Sequence, residues 1–116
     1  MNTVKSGAYR WMIFRDGDTW VGVALEFNIV ITGDDPKVVE IELHEAVLGY
    51  LESAKKLKKG FRESQINATL NQEADQEYEV RWISATQARQ AAVDKNIPSP
   101  LSADIYKAGI SNLATV

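Results

Sequence analysis

Any histidine-based catalysis in this chain must rest on His44, its sole histidine. Glu40 and Glu45 stand near it, but both read as helix-surface residues, and no serine is placed by a motif to complete a nucleophilic triad. A buried or interface histidine is the better reading. Cysteine is absent, which excludes thiolate nucleophiles, disulfides and cysteine zinc sites. A metal would have to use carboxylates, with Asp16, Asp18, Asp34 and Asp35 as candidates for Ca²⁺ or Mg²⁺. They fall in two separate turns without EF-hand spacing, and turn and cap chemistry accounts for all four. Gly33 precedes a helix start, yet a phosphate loop needs several glycines and a lysine, and two aspartates here would repel phosphate. The expectation is a chain with no catalytic residue, no metal and no cofactor.

Binding chemistry is the other option. Trp11, Trp20 and Trp82, with Tyr9, Tyr50, Tyr78 and Tyr106, are enough aromatics for a base-stacking platform. Net charge is −3 and the pI about 5.1, opposite to a general nucleic-acid binder. The one basic run, KKLKK at 55–59, sits where cations complement a helix end. Tryptophan in a small acidic domain then reads as core or protein interface. RNA or small-ligand binding on an aromatic sheet face stands as the alternative.

The elements that would position these residues follow from patterning. At 116 residues the chain is one domain's worth. Residues 9–15 and 19–27 read as strands around the turn Asp16-Gly17-Asp18. Alternation puts Val21, Val23, Leu25 and Phe27 on the better core face, with Trp20, Gly22, Ala24 and Glu26 opposite. A tight corner at Phe27-Asn28 leads to a third strand at 29–32. Asp35 is placed to cap a helix whose first residue is Pro36 and which runs to 59, with Gly60 as its stop. Its sheet-facing stripe is Val39, Leu43, Ala46, Tyr50, Ala54 and Leu57. Ile41 and Leu48, with His44 beside them, make a second apolar set on its back. That back should be covered by the C-terminal third or by a second subunit.

Residues 61–79 are polar and read as loop-rich. Asp75 can cap a helix over 76–93, although 78–84 also alternate like a strand. After the break NIPSP, residues 101–113 read as an irregular or briefly helical tail, with Ile105, Tyr106, Ile110 and Leu113 free to pack on the back of the long helix. The expected fold is α+β: a three-stranded antiparallel meander packed on one long helix, with a C-terminal helical or irregular extension. Residues 1–60 form the α+β unit, and 61–116 pack on the same domain. No apolar leader and no run near the ~18 residues of a membrane span are present, so a cytoplasmic protein is expected.

The segment YRWMIFRDGDTWVGVALEFNIVITGDDPKVVEIELHEAVLGYLESAKK combines a strand, an Asp-Gly turn, a strand, an acidic-glycine corner and a long helix ending in lysines. Over residues 9–59 it resembles the HicB-like antitoxin family. Gly33-Asp34-Asp35-Pro36 stands where that family has a Gly-Asp-Thr corner, and His44-Glu45-Ala46 lies in the helix that follows. The resemblance implies a small α+β fold, dimeric or higher, that binds and neutralises a small RNA-cleaving toxin. Many members add a C-terminal DNA-binding module. Here residues 85–116 show no helix-turn-helix or ribbon-helix-helix pattern, and Arg89, Lys95 and Lys107 nearly balance Asp94 and Asp104, which speaks against DNA. The family's Pro and Gly between the second and third strands are replaced by EFNIV, making Glu26, Phe27 and Asn28 a divergent corner. Trp20, Ile41, His44 and Leu48 are the residues expected at a partner or subunit interface.

Overall fold

In the computed structural model, residues 2–3, 6–57, 62–95 and 104–113 are described, residues 63 and 88–95 by their backbone only. β1 (Ala8–Asp16) and β2 (Thr19–Ala24) pair antiparallel, with Asp16 opposite Thr19. The two-residue loop between them needs a positive φ, and Gly17 supplies it at 64°. β2 ends at Ala24, three residues earlier than alternation predicts. Leu25–Phe27 wind into a 3₁₀ turn that closes on Asn28, whose φ of 53° and ψ of 36° are left-handed. The winding breaks the two-residue alternation. Leu25 therefore stays with Val21 and Val23, whereas Phe27 swings to the other side of the sheet.

β3 (Ile29–Gly33) follows, and then α1 (Pro36–Lys56). Asp35 caps α1, its Oδ1 accepting from the Lys37 backbone N–H at 2.9 Å. Asp35→Ala should cost about 1 kcal/mol in urea unfolding, and Asp35→Asn clearly less, because asparagine also caps. The expected stop at Lys58-Lys59-Gly60 lies outside the described residues.

The face of α1 that meets the sheet is Val39, Leu43, Val47, Leu51 and Ala54. Three of these belong to the expected stripe. Val47 and Leu51 replace Ala46 and Tyr50 at its centre, because the Tyr50 hydroxyl turns aside to donate to the Thr69 carbonyl at 2.6 Å. A buried hydroxyl must find a partner, and the apolar centre has none. The helix also covers the sheet face opposite to the expected one. Val39 and Leu43 sit over Gly22, where an added Cβ would lie 2.8 Å from Val39 Cγ1. Small residues let the helix approach closely. The Val21, Val23 and Leu25 face is core as well, but under a different helix.

That helix comes from the second half of the chain. α2 (Glu63–Leu70) occupies part of the expected loop and buries Ile66 and Leu70 in the α1-side core. α3 (Gln76–Lys95) begins at Asp75, whose Oδ1 accepts from the Glu77 N–H at 2.9 Å, and lays Tyr78 and Trp82 on the other face. The expected irregular tail is instead a strand, β4 (Ile105–Asn112), antiparallel to β1. The sheet therefore has four strands in the order β3-β2-β1-β4 rather than three. A bare meander would leave the long β1 with an unpaired edge, and β4 satisfies it. Consequently Ile105 joins the α3-side core and Leu113 the α1-side core, while Ile110 stays 67% exposed. Of the four residues expected on the back of α1, Tyr106 alone lines its flank.

Asn2 fastens the start of the chain to the far end of α2. It is buried, its Nδ2 donates to the Leu70 carbonyl at 3.0 Å, and its Oδ1 accepts from the Ala8 N–H at 2.8 Å. No helix among the described residues is long and apolar enough to cross a membrane.

Candidate functional site

α1 lies chiefly across β2 and β3, so the strip of sheet at β4 is left open beside it. The result is an open groove of about 570 Å³. Ile41, His44 and Leu48 form its α1 wall, and Tyr106 and Lys107 form the β4 side. Lys37, Glu40 and Glu45 complete the rim. Ile41 is 58% exposed and Leu48 43%, and Val38 on the same side of the helix is 47% exposed. Lys107 Nζ donates to Glu40 Oε1 at 3.1 Å across the rim. This pair is open to water and adds little stability.

His44 is held from below. Its Nδ1 lies 3.2 Å from the Tyr9 hydroxyl, and its ring meets Trp11 edge-on, with centroids 4.8 Å apart at 82°. Trp11 is fixed in turn: its Nε1 donates to Ser111 Oγ at 2.9 Å, and its ring lies over Gly109, where a Cβ would come within 3.0 Å. Burial lowers the His44 pKa, Lys107 pushes the same way, and Glu40 opposes them. Burial raises the Tyr9 pKa, against a hydrogen bond with Ser111. Both shifts favour the uncharged forms, so the hydrogen bond between the Tyr9 hydroxyl and His44 Nδ1 joins two neutral groups.

The sign of the pH dependence follows. Below the ordinary histidine pKa near 6.5 the unfolded chain takes up a proton that the native chain resists. Stability contributed by neutral His44 is full above that value and declines as pH falls through it. His44→Gln should flatten the slope of unfolding free energy between about pH 5 and 7. An unchanged slope would contradict the burial of the imidazole.

Trp20 does not join Ile41, His44 and Leu48. It is half-buried against the α1-side core and touches the groove only through Tyr106, at 6.2 Å between ring centroids. The sheet face that carries Trp11 and Trp20 packs against α1, and Trp82 packs from α3 onto the opposite face. The corner at Glu26, Phe27 and Asn28 lies elsewhere and is fully engaged in structure. Glu26 accepts from the Arg10 N–H and from its guanidinium, whose NH2 is 2.6 Å from Oε2. Arg10 reaches on to Glu79 of α3 at 2.6 and 2.7 Å. Phe27 stacks between Tyr9 and Tyr50, at 5.3 and 5.4 Å. Asn28 Nδ2 donates to the Glu73 carbonyl at 3.1 Å, and the Glu26 carbonyl accepts from the Gln72 N–H at 2.8 Å. The corner thus anchors the link between α2 and α3. Among the described residues no group of three or more His, Asp or Glu side chains could hold a metal ion.

Compared with known proteins, the chain matches no family model, no curated protein and no solved structure. Sequence reasoning placed Ile41, His44 and Leu48 together and set Tyr106 among the residues free to pack on them, but it missed Lys107 and the strand that carries both. Residues 105–112 carry little local strand signal, because Ile105 and Tyr106 are adjacent apolar residues and Ala108-Gly109 interrupt the pattern.

Proposed function

We propose that the chain is a non-enzymatic binding module of the HicB-like antitoxin type, self-associating and able to hold a small RNA-cleaving toxin. The outer face of α1, with the groove beside it, is the docking face. One observation carries this reading. α1 already buries a complete apolar face in the core, and yet it presents Val38, Ile41 and Leu48 to water on the other side. A one-sided helix keeps its back polar, and clustered apolar exposure marks a surface that meets another macromolecule. The non-enzymatic part rests on the sequence, which has no cysteine and places no serine by a motif beside its one histidine. The antitoxin part rests on the resemblance of residues 9–59.

Co-expression with the product of the adjacent reading frame tests it. The wild-type chain should restore growth against a toxic neighbour and co-purify with it. An Ile41→Asp/Leu48→Asp chain should do neither while keeping its far-ultraviolet dichroism. Full protection by the double variant would remove the docking face, and failure of the wild type to protect or bind would remove the antitoxin role.

A further inference from the structure

We infer that the outer edge of β3 takes up an extended segment of a partner protein as an added strand, antiparallel to β3, in which apolar residues alternate with basic ones. This edge is the margin of the sheet away from the groove, and it is independent of the docking face on α1. Strand parity decides which groups of β3 point outward. The Gly7 carbonyl accepts from the Leu113 N–H at 2.9 Å, so odd-numbered residues of β1 turn their backbone groups to β4 and even-numbered ones to β2. Met12 and Phe14 therefore bond with Val23 and Val21, which turns Gly22 and Ala24 toward Ile31 and Ile29. Val30 and Thr32 are left with N–H and C=O directed away from the sheet.

Among the described residues, no group outside β2 hydrogen-bonds to Val30 or Thr32. Both residues are exposed, Val30 by 43%. Edge strands are ordinarily shielded by a lysine or proline, by a bulge, or by a covering element. β3 reads IVITG, with neither lysine nor proline, and its register with β2 is unbroken. Ile29, Val30, Ile31 and Thr32 are all β-branched, a composition that favours further pairing. A row of backbone donors and acceptors is matched by another extended backbone, which makes the occupant a strand.

The two sides of the edge set the side chains of that strand. Residues that exchange bonds with Val30 and Thr32 lie on their side of the sheet, the side of Val21 and Val23. α3 lies toward β4 and leaves Val30 bare, so an apolar residue there extends an apolar surface. The intervening residues point to the α1 side. Helical spacing puts Glu42, Ala46 and Gly49 on the flank of α1 away from the groove. Ala46 and Gly49 leave room beside the helix, and a Cβ added at Gly49 would meet nothing within 4 Å. Glu42 is exposed on this flank, and exposed Asp34 follows the end of β3. Residues 28–36 hold no lysine or arginine, and Lys37 turns to the groove. The charge along this edge is negative, and basic intervening residues complement it.

Amide-exchange NMR of the full chain, with a blocked seven-residue peptide of alternating valine and lysine as the probe, tests this. In the free chain the amides of Val30 and Thr32 should exchange fast, while those of Ile29 and Ile31 are protected. Saturating peptide should slow Val30 and Thr32 at least about tenfold, with a dissociation constant on the order of 100 µM. N-methylation of the peptide's valines removes the donors that face β3 and should abolish binding, whereas N-methylation of its lysines should leave it intact. Thr32→Pro, which deletes an outward N–H alone, should also abolish it. Glu42→Lys, at an exposed site that does not threaten the fold, should weaken it roughly threefold and favour a valine–glutamate peptide instead. Ile41→Asp/Leu48→Asp should bind the peptide as the wild type does. No binding at about 1 mM overturns the inference. Equal binding of the valine-methylated peptide reduces the contact to charge attraction and overturns it as well. Val30 and Thr32 amides already protected in the free chain would mean that the edge is covered, by this chain or by a second copy, and would overturn it too.

Discussion

Leu43→Ala should lower the unfolding free energy by about 3 kcal/mol, within the range for large-to-small substitutions at fully buried sites. Leu43 is completely buried, and with Val39 it forms the contact of α1 over Gly22. The gap left by truncation cannot close easily, because Gly22 offers no side chain to move into it and the strand beneath is held by ladders on both sides. Leu48→Ala, on the same helix, should change monomer stability by no more than about 0.5 kcal/mol. Its side chain is 43% exposed and belongs to the docking face. Parallel denaturant titrations of the two variants separate the fold-bearing stripe from the partner-bearing one. Equal losses would mean that the outer face is part of the monomer's core.

Arg10→Met carries the second large effect, a loss of about 2 kcal/mol. Removing one member of a fully buried ion pair costs about 3–5 kcal/mol, and the partial exposure here, 28% for Arg10, 18% for Glu26 and 35% for Glu79, reduces that figure. Arg10 is the one cation between the two carboxylates, and its guanidinium also lies 5.9 Å from the Trp82 ring centre. Without it, Glu26 and Glu79 face each other unpaired, and the first turns of α3 lose their tether to β1. Faster amide exchange in residues 78–85 should accompany the loss of stability.

The pH dependence distinguishes this network from simple packing. The hydrogen bond from Arg10 is the main cause that holds the Glu79 carboxyl below its ordinary pKa of 4.5. A depressed carboxylate stabilises the native state above its unfolded pKa, and that contribution is lost as pH falls through the native value. Arg10 itself is held above the usual guanidinium range, chiefly by Glu79, so it stays charged throughout. Acid unfolding of the wild type should therefore steepen below about pH 4.5, and Arg10→Met should blunt that limb. A variant with the same acid limb as the wild type would show that Glu79 gains nothing from the pairing.

Much of the first half of this chain is local chemistry, and local chemistry is legible in residue order. The Asp16-Gly17-Asp18 hairpin, the left-handed Asn28, and the Asp35-Pro36 helix start each depend on a few adjacent residues. The same holds for Asp75 at the head of α3. The two-sided character of α1 was legible for the same reason, since helical spacing alone separates Leu43 from Ile41 and Leu48. The fourth strand was not legible. β4 pairs with β1 across a separation of about a hundred residues, Ala8 with Asn112, and no local pattern encodes a partner so far away. Two consequences could come only from that pairing. It placed Tyr106 and Lys107 opposite His44, turning a helix back into a groove. It also allowed both faces of the sheet to be buried, one beneath α1 and one beneath α3. The carboxylate of Glu26 shows the limit most clearly. In sequence it is an odd acid in an apolar run, and only the arrival of Arg10 from β1 and Glu79 from α3 makes it a structural ion pair. Residue order determined the turns, the caps and the two faces of the long helix. Tertiary pairing decided what each face meets, because burial and charge compensation depend on neighbours in space.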